Sequence, residues 1–291
     1  MSSGEVLLGN GSTQLIYLLC AALRPRKALI VGPAFSEYAN ALTLAGANIR
    51  SLSSSLDDGF RFSTERLMAA WKKDCDMVFL ATPNSVTGQL IPRTEMEKIA
   101  HVASKRRSFV VVDEAFIDFV EDESVKKLAQ QNPYLIVLRS LTKYYALPGL
   151  RLGYLLGEAR RVAQLAVHQE PWSVNSPALN VAVACLEDAS FTTKTNRWLE
   201  REKTFLSQRL AALAGLRPLP SRANFLLIQI EKRSGDALQL RSVLLRQKIL
   251  IRACDSFTGL GGDYFRVAVR QRQDNRRLIA ALRQWTASLH G

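Results

Sequence analysis

One lysine has neighbours that could make its amine reactive and place it beside a phosphate group. Lys143 lies in the stretch LRSLTKYYALPGLRLGY, with hydroxyl groups at Ser140 and Thr142 and a guanidinium at Arg151. Nearby positive charge and burial both favour the uncharged, nucleophilic form of a lysine amine. Hydroxyls and an arginine together suit a phosphate. A Schiff-base lysine beside a phosphate site is what pyridoxal phosphate requires, although an exposed loop lysine would show the same short pattern.

A glycine-rich turn near the start of the chain is a second candidate phosphate site. The residues Gly9-Asn10-Gly11-Ser12-Thr13 precede an apolar run that begins at Leu15, which predicts a turn that opens a helix with Ser12 as its cap. Free backbone N–H groups at such a helix end can bind phosphate. A plain capped helix fits the same residues.

An aromatic and a carboxylate each follow a predicted strand. Phe35 comes just after the strand KALIV, at the kind of position where open α/β sheets bind ligands, but it also fits a core phenylalanine. The predicted strand FVVVDE is apolar as far as Asp113. A carboxylate at the end of a central strand is costly unless it is paired. Asp113 could therefore hold a protonated ring nitrogen or serve as a capping aspartate.

These residues are positioned by alternating strands and helices. Strands are predicted at 27–31, 49–52, 76–81, 109–114 and 134–138, and helices at 35–45, 63–71 and 92–106. This order, which continues to about Glu158, predicts an α/β fold with a doubly wound, mainly parallel sheet. We expect a large cofactor-binding domain over residues 1–188.

The last third of the chain predicts a small α+β domain over residues 189–291. Long helices lead to about Gly215 and are followed by strands at 224–230, 249–252 and 265–269 and helices at 235–246 and 272–289. Arg252 and Arg266 fall at strand positions. On a strand that faces a cleft they would bind a carboxylate or phosphate, and on an edge strand they would be surface residues.

Composition narrows the class of ligand. The 291 residues carry a formal net charge of +13, with arginines spread over predicted helices and no motif that interleaves aromatic and basic residues. We therefore expect small anionic ligands rather than a nucleic-acid or membrane partner. The four cysteines and three histidines lack zinc or disulfide spacing, so no metal site is predicted and a reducing cytoplasm is indicated.

Taken in order, the motifs resemble those of the aspartate-aminotransferase-like enzymes of class I and II, which use pyridoxal 5'-phosphate. Two families within that group are similar: the L-threonine O-3-phosphate decarboxylases of cobalamin biosynthesis and the histidinol-phosphate aminotransferases. The stretches DEAFIDF, EPWSVNSPA, RANFLL, ILIRAC and YFRVAVR look like the decarboxylases. The aminotransferases usually have tyrosine in place of Phe116, a small residue in place of Pro148 and no tryptophan at Trp172.

The resemblance implies a role for each candidate residue and a homodimeric enzyme acting on a phosphorylated amino acid. Lys143 would bond the cofactor aldehyde, Asp113 would keep the ring nitrogen protonated, and Phe35 would stack on the ring. The cofactor phosphate would be held by Ser12, Thr13, Ser140, Thr142 and Arg151. Arg266 would bind the substrate carboxylate and Arg252 the substrate phosphate.

Two departures from these families leave another class of function open. The asparagine that normally bonds the ring oxygen directly precedes Pro-Thr-Gly, where this chain has Ser85 followed by Val86, and Asn84 lies one position earlier. The families also have several dozen residues before the glycine turn, so we expect an N-terminal segment to be missing here. An inactive cofactor-binding protein or a basic interaction protein is the alternative.

Overall fold

The computed structural model describes residues 2–54, 59–231 and 235–288. A large sheet has the strand order β1-β7-β6-β5-β4-β2-β3, and β7 runs antiparallel to both of its neighbours while the remaining pairs are parallel. Its strands are β1 (Val6–Asn10), β2 (Lys27–Gly32), β3 (Asn48–Ser53), β4 (Met77–Ala81), β5 (Phe109–Asp113), β6 (Leu135–Ser140) and β7 (Leu152–Leu156). The predicted mainly parallel α/β sheet is thus confirmed.

Helices cover both faces of this sheet. The α-helices of the described chain, including those of its last third, are α1 (Gly11–Leu23), α2 (Ser36–Leu44), α3 (Thr64–Ala70), α4 (Arg93–Arg106), α5 (Lys126–Ala129), α6 (Ala159–Ala166), α7 (Ser176–Glu187), α8 (Ala189–Ala211), α9 (Ala237–Arg246) and α10 (Arg272–Ser288). Val110 and Val112 pack with α3 and α4, whereas Val111 packs with α1 and α2 on the other face. Successive side chains of a strand point to opposite faces, so an unbroken apolar strand needs this double cover.

A second, antiparallel sheet lies in the last third of the chain. Its strands are β8 (Leu216–Pro218), β9 (Phe225–Ile230), β10 (Arg252–Ala253) and β11 (Tyr264–Ala268), in the order β10-β11-β9-β8. Leucines of α8, α9 and α10 pack on it in one core cluster. We call these strands and helices the small unit. The last helix was expected to end at Leu289, which lies outside the described residues.

Three local predictions were wrong. The strand expected at 249–252 is present only from Arg252, because Lys248 adopts a left-handed φ of 58° and Ile249 still bonds the end of α9. Ser12 is not the cap of α1, since the helix begins at Gly11 and the cap position is Asn10. No strand was expected before Lys27, yet β1 pairs with β7 as far as Asn10.

Gly11 explains why Ser12 has no capping role. Strand β1 runs directly into α1, and the change of direction occurs at Gly11, which has a φ of 74° that few other residues adopt. Ser12 therefore lies in the first helical turn, where its backbone N–H has no partner within the helix and can bind a ligand instead. Within the described part of the chain, none of the helices combines the length and apolar character that crossing a membrane demands.

Candidate active site

A cavity of about 440 Å³ gathers the predicted site residues where the central strands end. With the exception of Asn84, every candidate named from the sequence lines it. The lining consists of Ser12, Thr13, Phe35, Ser36, Ser85, Val86, Asp113, Ala115, Phe116, Ser140, Thr142, Lys143, Arg151, Arg252, Phe257 and Arg266. Strands β4, β5 and β6 are parallel, so the residues that follow them are brought to one edge of the sheet.

Asp113 is a buried carboxylate at the wall of this cavity, and only 5% of its surface is exposed. Its Oδ2 accepts a hydrogen bond from the Tyr38 hydroxyl at 2.5 Å, and its Oδ1 accepts one from the Ala115 N–H at 2.9 Å. Burial raises the pKa of Asp113, while these two hydrogen bonds and the charge of Lys143 lower it. An ionised Asp113 is therefore costly here unless a cation lies against it.

Tyr38 is a site residue that the sequence reasoning missed. It is fully buried, and burial together with the Asp113 carboxylate raises its pKa well above the usual value, so it remains a hydrogen-bond donor. Its spacing in the sequence could have indicated this role. Tyr38 follows Phe35 by three residues, which places the two side chains on the same side at the start of α2. Their rings meet edge to face with centroids 5.9 Å apart.

Lys143 has the perturbed amine that the sequence suggested. Burial is the largest cause that lowers its pKa, followed by the positive charge of Arg266, with Arg151 adding less and Asp113 opposing both. The residue is nonetheless exposed, because its side chain lines the open cavity. Its Nζ lies 5.8 Å from the centroid of the Phe116 ring. The lowered pKa increases the share of Lys143 that is in the neutral, nucleophilic form.

Hydroxyls, a helix N-terminus and a guanidinium converge where β6, β7 and α1 border the cavity. The Ser140 and Thr142 hydroxyl oxygens are 2.8 Å apart. A Cβ placed on Gly11 would lie 2.6 Å from Arg151 Nη2, so that guanidinium sits directly against the start of α1. A Cβ on Gly153 of β7 would overlap the backbone nitrogen of Ser12. These two glycines therefore allow an anion site to form between α1 and β7.

Arg252 and Arg266 bring two further positive charges to the cavity from the small unit. They are direct partners across β10 and β11. Arg266 Nη1 donates to the Ser85 carbonyl and its guanidinium lies 4.6 Å from the centroid of Phe225. Arg252 Nη2 donates to the Ser256 hydroxyl at 3.0 Å. Neither forms a salt bridge with any residue that the structure describes.

A larger cavity of about 710 Å³ adjoins the first and shares Phe116, Lys143, Arg252 and Arg266 with it. It continues along α9, where Leu238 and Arg241 line it. The two cavities together leave room for a substrate beyond the cofactor site.

Asn84 does not reach the cavity. Its Oδ1 accepts hydrogen bonds from the N–H groups of Val86 and Thr87, both at 2.9 Å, and its Nδ2 donates to the Pro33 carbonyl at 2.9 Å. Asn84 therefore ties the loop after β4 to the loop after β2. Ser85 is the residue that lines the cavity at this point.

The residues present fit pyridoxal phosphate. One cavity is lined by a buried carboxylate that needs a cation, by a lysine with a lowered pKa and by the aromatic ring of Phe35. The anion site between α1 and β7 borders the same cavity. A protonated ring nitrogen against Asp113 would offset the cost of the ionised carboxylate. The fold and the site thus define the class of enzymes that carry pyridoxal phosphate on a lysine.

Comparison with known proteins identifies the family within this class. The family model for aminotransferase class I and II matches residues 2–282, and the chain belongs to that family, whose cofactor is pyridoxal 5'-phosphate. The threonine-phosphate decarboxylase of Salmonella typhimurium is 42% identical over 280 residues, which cover 96% of this chain and 76% of that protein.

Solved structures agree with this assignment. The histidinol-phosphate aminotransferase from Clostridium acetobutylicum superposes with a TM-score of 0.91 at 26% identity and covers 98% of this chain and 84% of that one. The L-threonine-O-3-phosphate decarboxylase from Porphyromonas gingivalis superposes with a TM-score of 0.85 at 26% identity and covers 99% and 85%. The aspartate-aminotransferase-like fold expected from the sequence motifs is therefore confirmed.

Proposed function

We propose that this chain decarboxylates L-threonine O-3-phosphate to aminopropanol O-phosphate, a step of cobalamin biosynthesis, with pyridoxal phosphate as cofactor. The observation that carries the proposal is the pair Arg252 and Arg266, set opposite each other beside Lys143. A substrate with both a carboxylate and a phosphate can neutralise two guanidinium groups. The similarity to the Salmonella typhimurium decarboxylase supports the same choice.

We assign the cofactor-binding roles as the motifs suggested. Bound pyridoxal phosphate supplies an aldehyde that reacts with amines and a ring that accepts the electron pair of a breaking bond. Lys143 provides the amine for that aldehyde, Asp113 holds the proton on the ring nitrogen, and Phe35 covers a face of the ring. The phosphate is bound by the N–H groups of Ser12 and Thr13 together with Ser140, Thr142 and Arg151. We assign the contact with the ring oxygen to Ser85 rather than Asn84, because Ser85 lines the cavity.

The small unit would determine which substrate bond breaks. Arg266 binds the substrate carboxylate and Arg252 binds the phosphate. By orienting the substrate carboxylate, Arg266 would select the bond that breaks, and bound pyridoxal phosphate would supply the ring that accepts the electron pair of that bond. Lys143, which lines the same cavity, would return a proton to the α-carbon of the substrate.

An aminotransferase acting on histidinol phosphate is the second candidate, favoured by the close superposition on the enzyme from Clostridium acetobutylicum. Histidinol phosphate has a phosphate but no carboxylate, so it would use only one of the two arginines in the half-reaction it enters. The second arginine would then bind a carboxylate in the amino-acid half-reaction, so the preference for the decarboxylase rests on a substrate that engages Arg252 and Arg266 at once and on the similarity to the Salmonella typhimurium enzyme.

We also propose a homodimer and a boundary between a large cofactor-binding domain, residues 1–188, and a small domain, residues 189–291. Helix α7 buries only Ala178 and Ala182, while Val183 and Leu186 are more than half exposed, and Trp172 in the preceding loop is 97% exposed. An apolar surface of this kind is typical of an interface with a second protein. A copy of the same chain is the partner that the class I and II resemblance implies.

The test of the proposed activity compares two substrates on the purified protein loaded with pyridoxal phosphate. L-threonine O-3-phosphate should release carbon dioxide without any keto acid. Histidinol phosphate with 2-oxoglutarate should give little glutamate. Efficient amino transfer from histidinol phosphate, with no carbon dioxide from threonine phosphate, would overturn the decarboxylase assignment and leave the cofactor site in place.

A further inference from the structure

Arg139 lies just behind the candidate site and has no contact with the cavity. It precedes Ser140 on β6, points to the other face of the sheet, and is 3% exposed. Its Nη1 is 3.1 Å from Glu114 Oε2, and its Nη2 is 2.9 Å from Asp118 Oδ1 and 2.5 Å from Glu121 Oε2. One guanidinium thus holds three carboxylates, all from the stretch of chain that directly follows β5.

Two of these carboxylates belong to a short 3-10 helix, Ile117–Glu123, which we call the 117–123 segment. Glu114, by contrast, lies at the end of β5 and is itself fixed by hydrogen bonds from the Ser124 hydroxyl at 2.7 Å and the Val125 N–H at 2.8 Å. Arg139 therefore binds the 117–123 segment to the end of the large sheet where β5 and β6 finish and where Asp113 and Lys143 lie.

The other side of this segment packs on the small unit. Phe119 contacts the core of that unit, and the Phe116 ring, directly before the segment, meets Phe225 edge to face with centroids 5.3 Å apart. Phe225 in turn lies under the Arg266 guanidinium at 4.6 Å. A continuous series of contacts thus joins Arg139 to Arg266 through the 117–123 segment and two phenylalanines.

We infer that Arg139 is a positioning residue, which sets the distance between Arg266 and Lys143 by holding the 117–123 segment against the large sheet. The simpler view is that the ion cluster only stabilises the fold. The two differ in one respect: a positioning role requires that loosening the segment change the electrostatic environment of Lys143, whereas general destabilisation does not.

The pKa of Lys143 in the cofactor-free protein reports that environment. The charged groups that act on it are Arg266 and Arg151, which lower its pKa, and Asp113, which raises it. It can be measured from the pH dependence of trace reductive dimethylation, followed by mass spectrometry of the peptide that contains Lys143. This readout requires no substrate, so it succeeds or fails independently of the proposed decarboxylation.

The test variant is D118N/E121Q, which removes both ion pairs between the 117–123 segment and Arg139, together with the pair of Glu121 and Lys126, and leaves the Arg139–Glu114 pair intact. Removing negative charge by itself would lower the pKa of a lysine, so a rise can come only from a change in position. We expect the pKa of Lys143 to rise, so that labelling below its pKa slows several-fold. R266Q should raise it as well. Adding D118N/E121Q to R266Q should produce no further rise, because the segment acts through Arg266.

R272Q is the matched control, because Arg272 binds the buried Glu202 at 2.9 Å within the small unit and lines neither cavity. It should lower the melting temperature without moving the pKa of Lys143. If D118N/E121Q does not fold, R139K replaces it and retains the charge with fewer donors. An unchanged pKa of Lys143 in the folded variant, or a further rise when the variants are combined with R266Q, would overturn the inference.

Discussion

Arg252 and Arg266 face each other directly across the two strands β10 and β11, and both guanidinium groups line the cavity that contains Lys143. Like charges in directly opposed positions destabilise a sheet. Burial and the neighbouring Arg252 both lower the pKa of Arg266, and Cys254 opposes them. Among the described residues no carboxylate pairs with either arginine. An anionic ligand with two charged groups would relieve this repulsion.

The first prediction concerns that pair. R266A should reduce kcat/KM for L-threonine O-3-phosphate by an amount equivalent to roughly 2–5 kcal/mol, as expected when one partner of a desolvated ion pair is removed. R252A should act in the same direction. R270A is the control, since Arg270 pairs with Asp274 on α10 and is exposed. Steady-state kinetics on the three variants makes the comparison, and equal rates for R266A and R270A would remove Arg266 from the substrate site.

The second prediction concerns the stability of the cofactor-free protein. The pKa of Asp113 is raised in the folded protein, so its contribution to stability is greatest below the ordinary carboxyl pKa and is lost as pH rises through the raised value. D113N should therefore melt higher than the parent protein near neutral pH and should lose that advantage in acid. Each unit of raised pKa corresponds to about 1.4 kcal/mol.

Melting curves across pH, without cofactor, test this relationship. The same D113N variant should bind pyridoxal phosphate more weakly, because asparagine carries no charge to hold the ring proton. A D113N protein that is less stable than the parent at neutral pH would contradict the account of a costly buried carboxylate.

A third prediction uses two glycines. G153A should destabilise the fold by roughly 1–3 kcal/mol and weaken cofactor binding, because a methyl group there collides with the backbone of Ser12. G149A is the matched control, since a Cβ at Gly149 has no heavy atom within 4 Å. Calorimetry and a pyridoxal phosphate titration should separate the two variants. Similar affinities would show that the approach of β7 to α1 does not shape the phosphate site.

The fourth prediction follows from the net charge of +13. If the basic residues mainly serve small anions, duplex DNA should bind weakly and its affinity should fall steeply with added salt. A fluorescence anisotropy titration at low and physiological salt measures both. Tight binding that persists at physiological salt would instead favour a basic interaction protein.

Much of the fold was predictable because its signals are local. The run FVVV at 109–112 is apolar throughout since β5 is covered on both faces, and the alternation of strands with helices set the parallel order. Strand β1 was missed because its pairing with β7 joins residues far apart in the sequence. The shortened β10 was missed because the run Ile249-Leu250-Ile251 is apolar although none of it is in a strand.

The cofactor site was predictable in its residues and less so in its contacts. Lys143, Asp113 and the hydroxyls stand next to strand ends, which the order of elements brings together. The hydrogen bond from Tyr38 to Asp113 depends on how α2 packs on β5, and the opposition of Arg252 to Arg266 depends on strand register. Asn84 turned away from the cavity because its side chain binds its own loop, a choice that composition does not reveal.

The attachment site of the cofactor tests the account most directly. The purified protein, loaded with pyridoxal phosphate and reduced with borohydride, should carry one pyridoxyl group, and peptide mapping should place it on Lys143. The K143A variant should take up none under the same treatment. A pyridoxyl group on another lysine, or no labelling of Lys143 after loading with excess cofactor, would contradict the assignment of this cavity as the pyridoxal phosphate site.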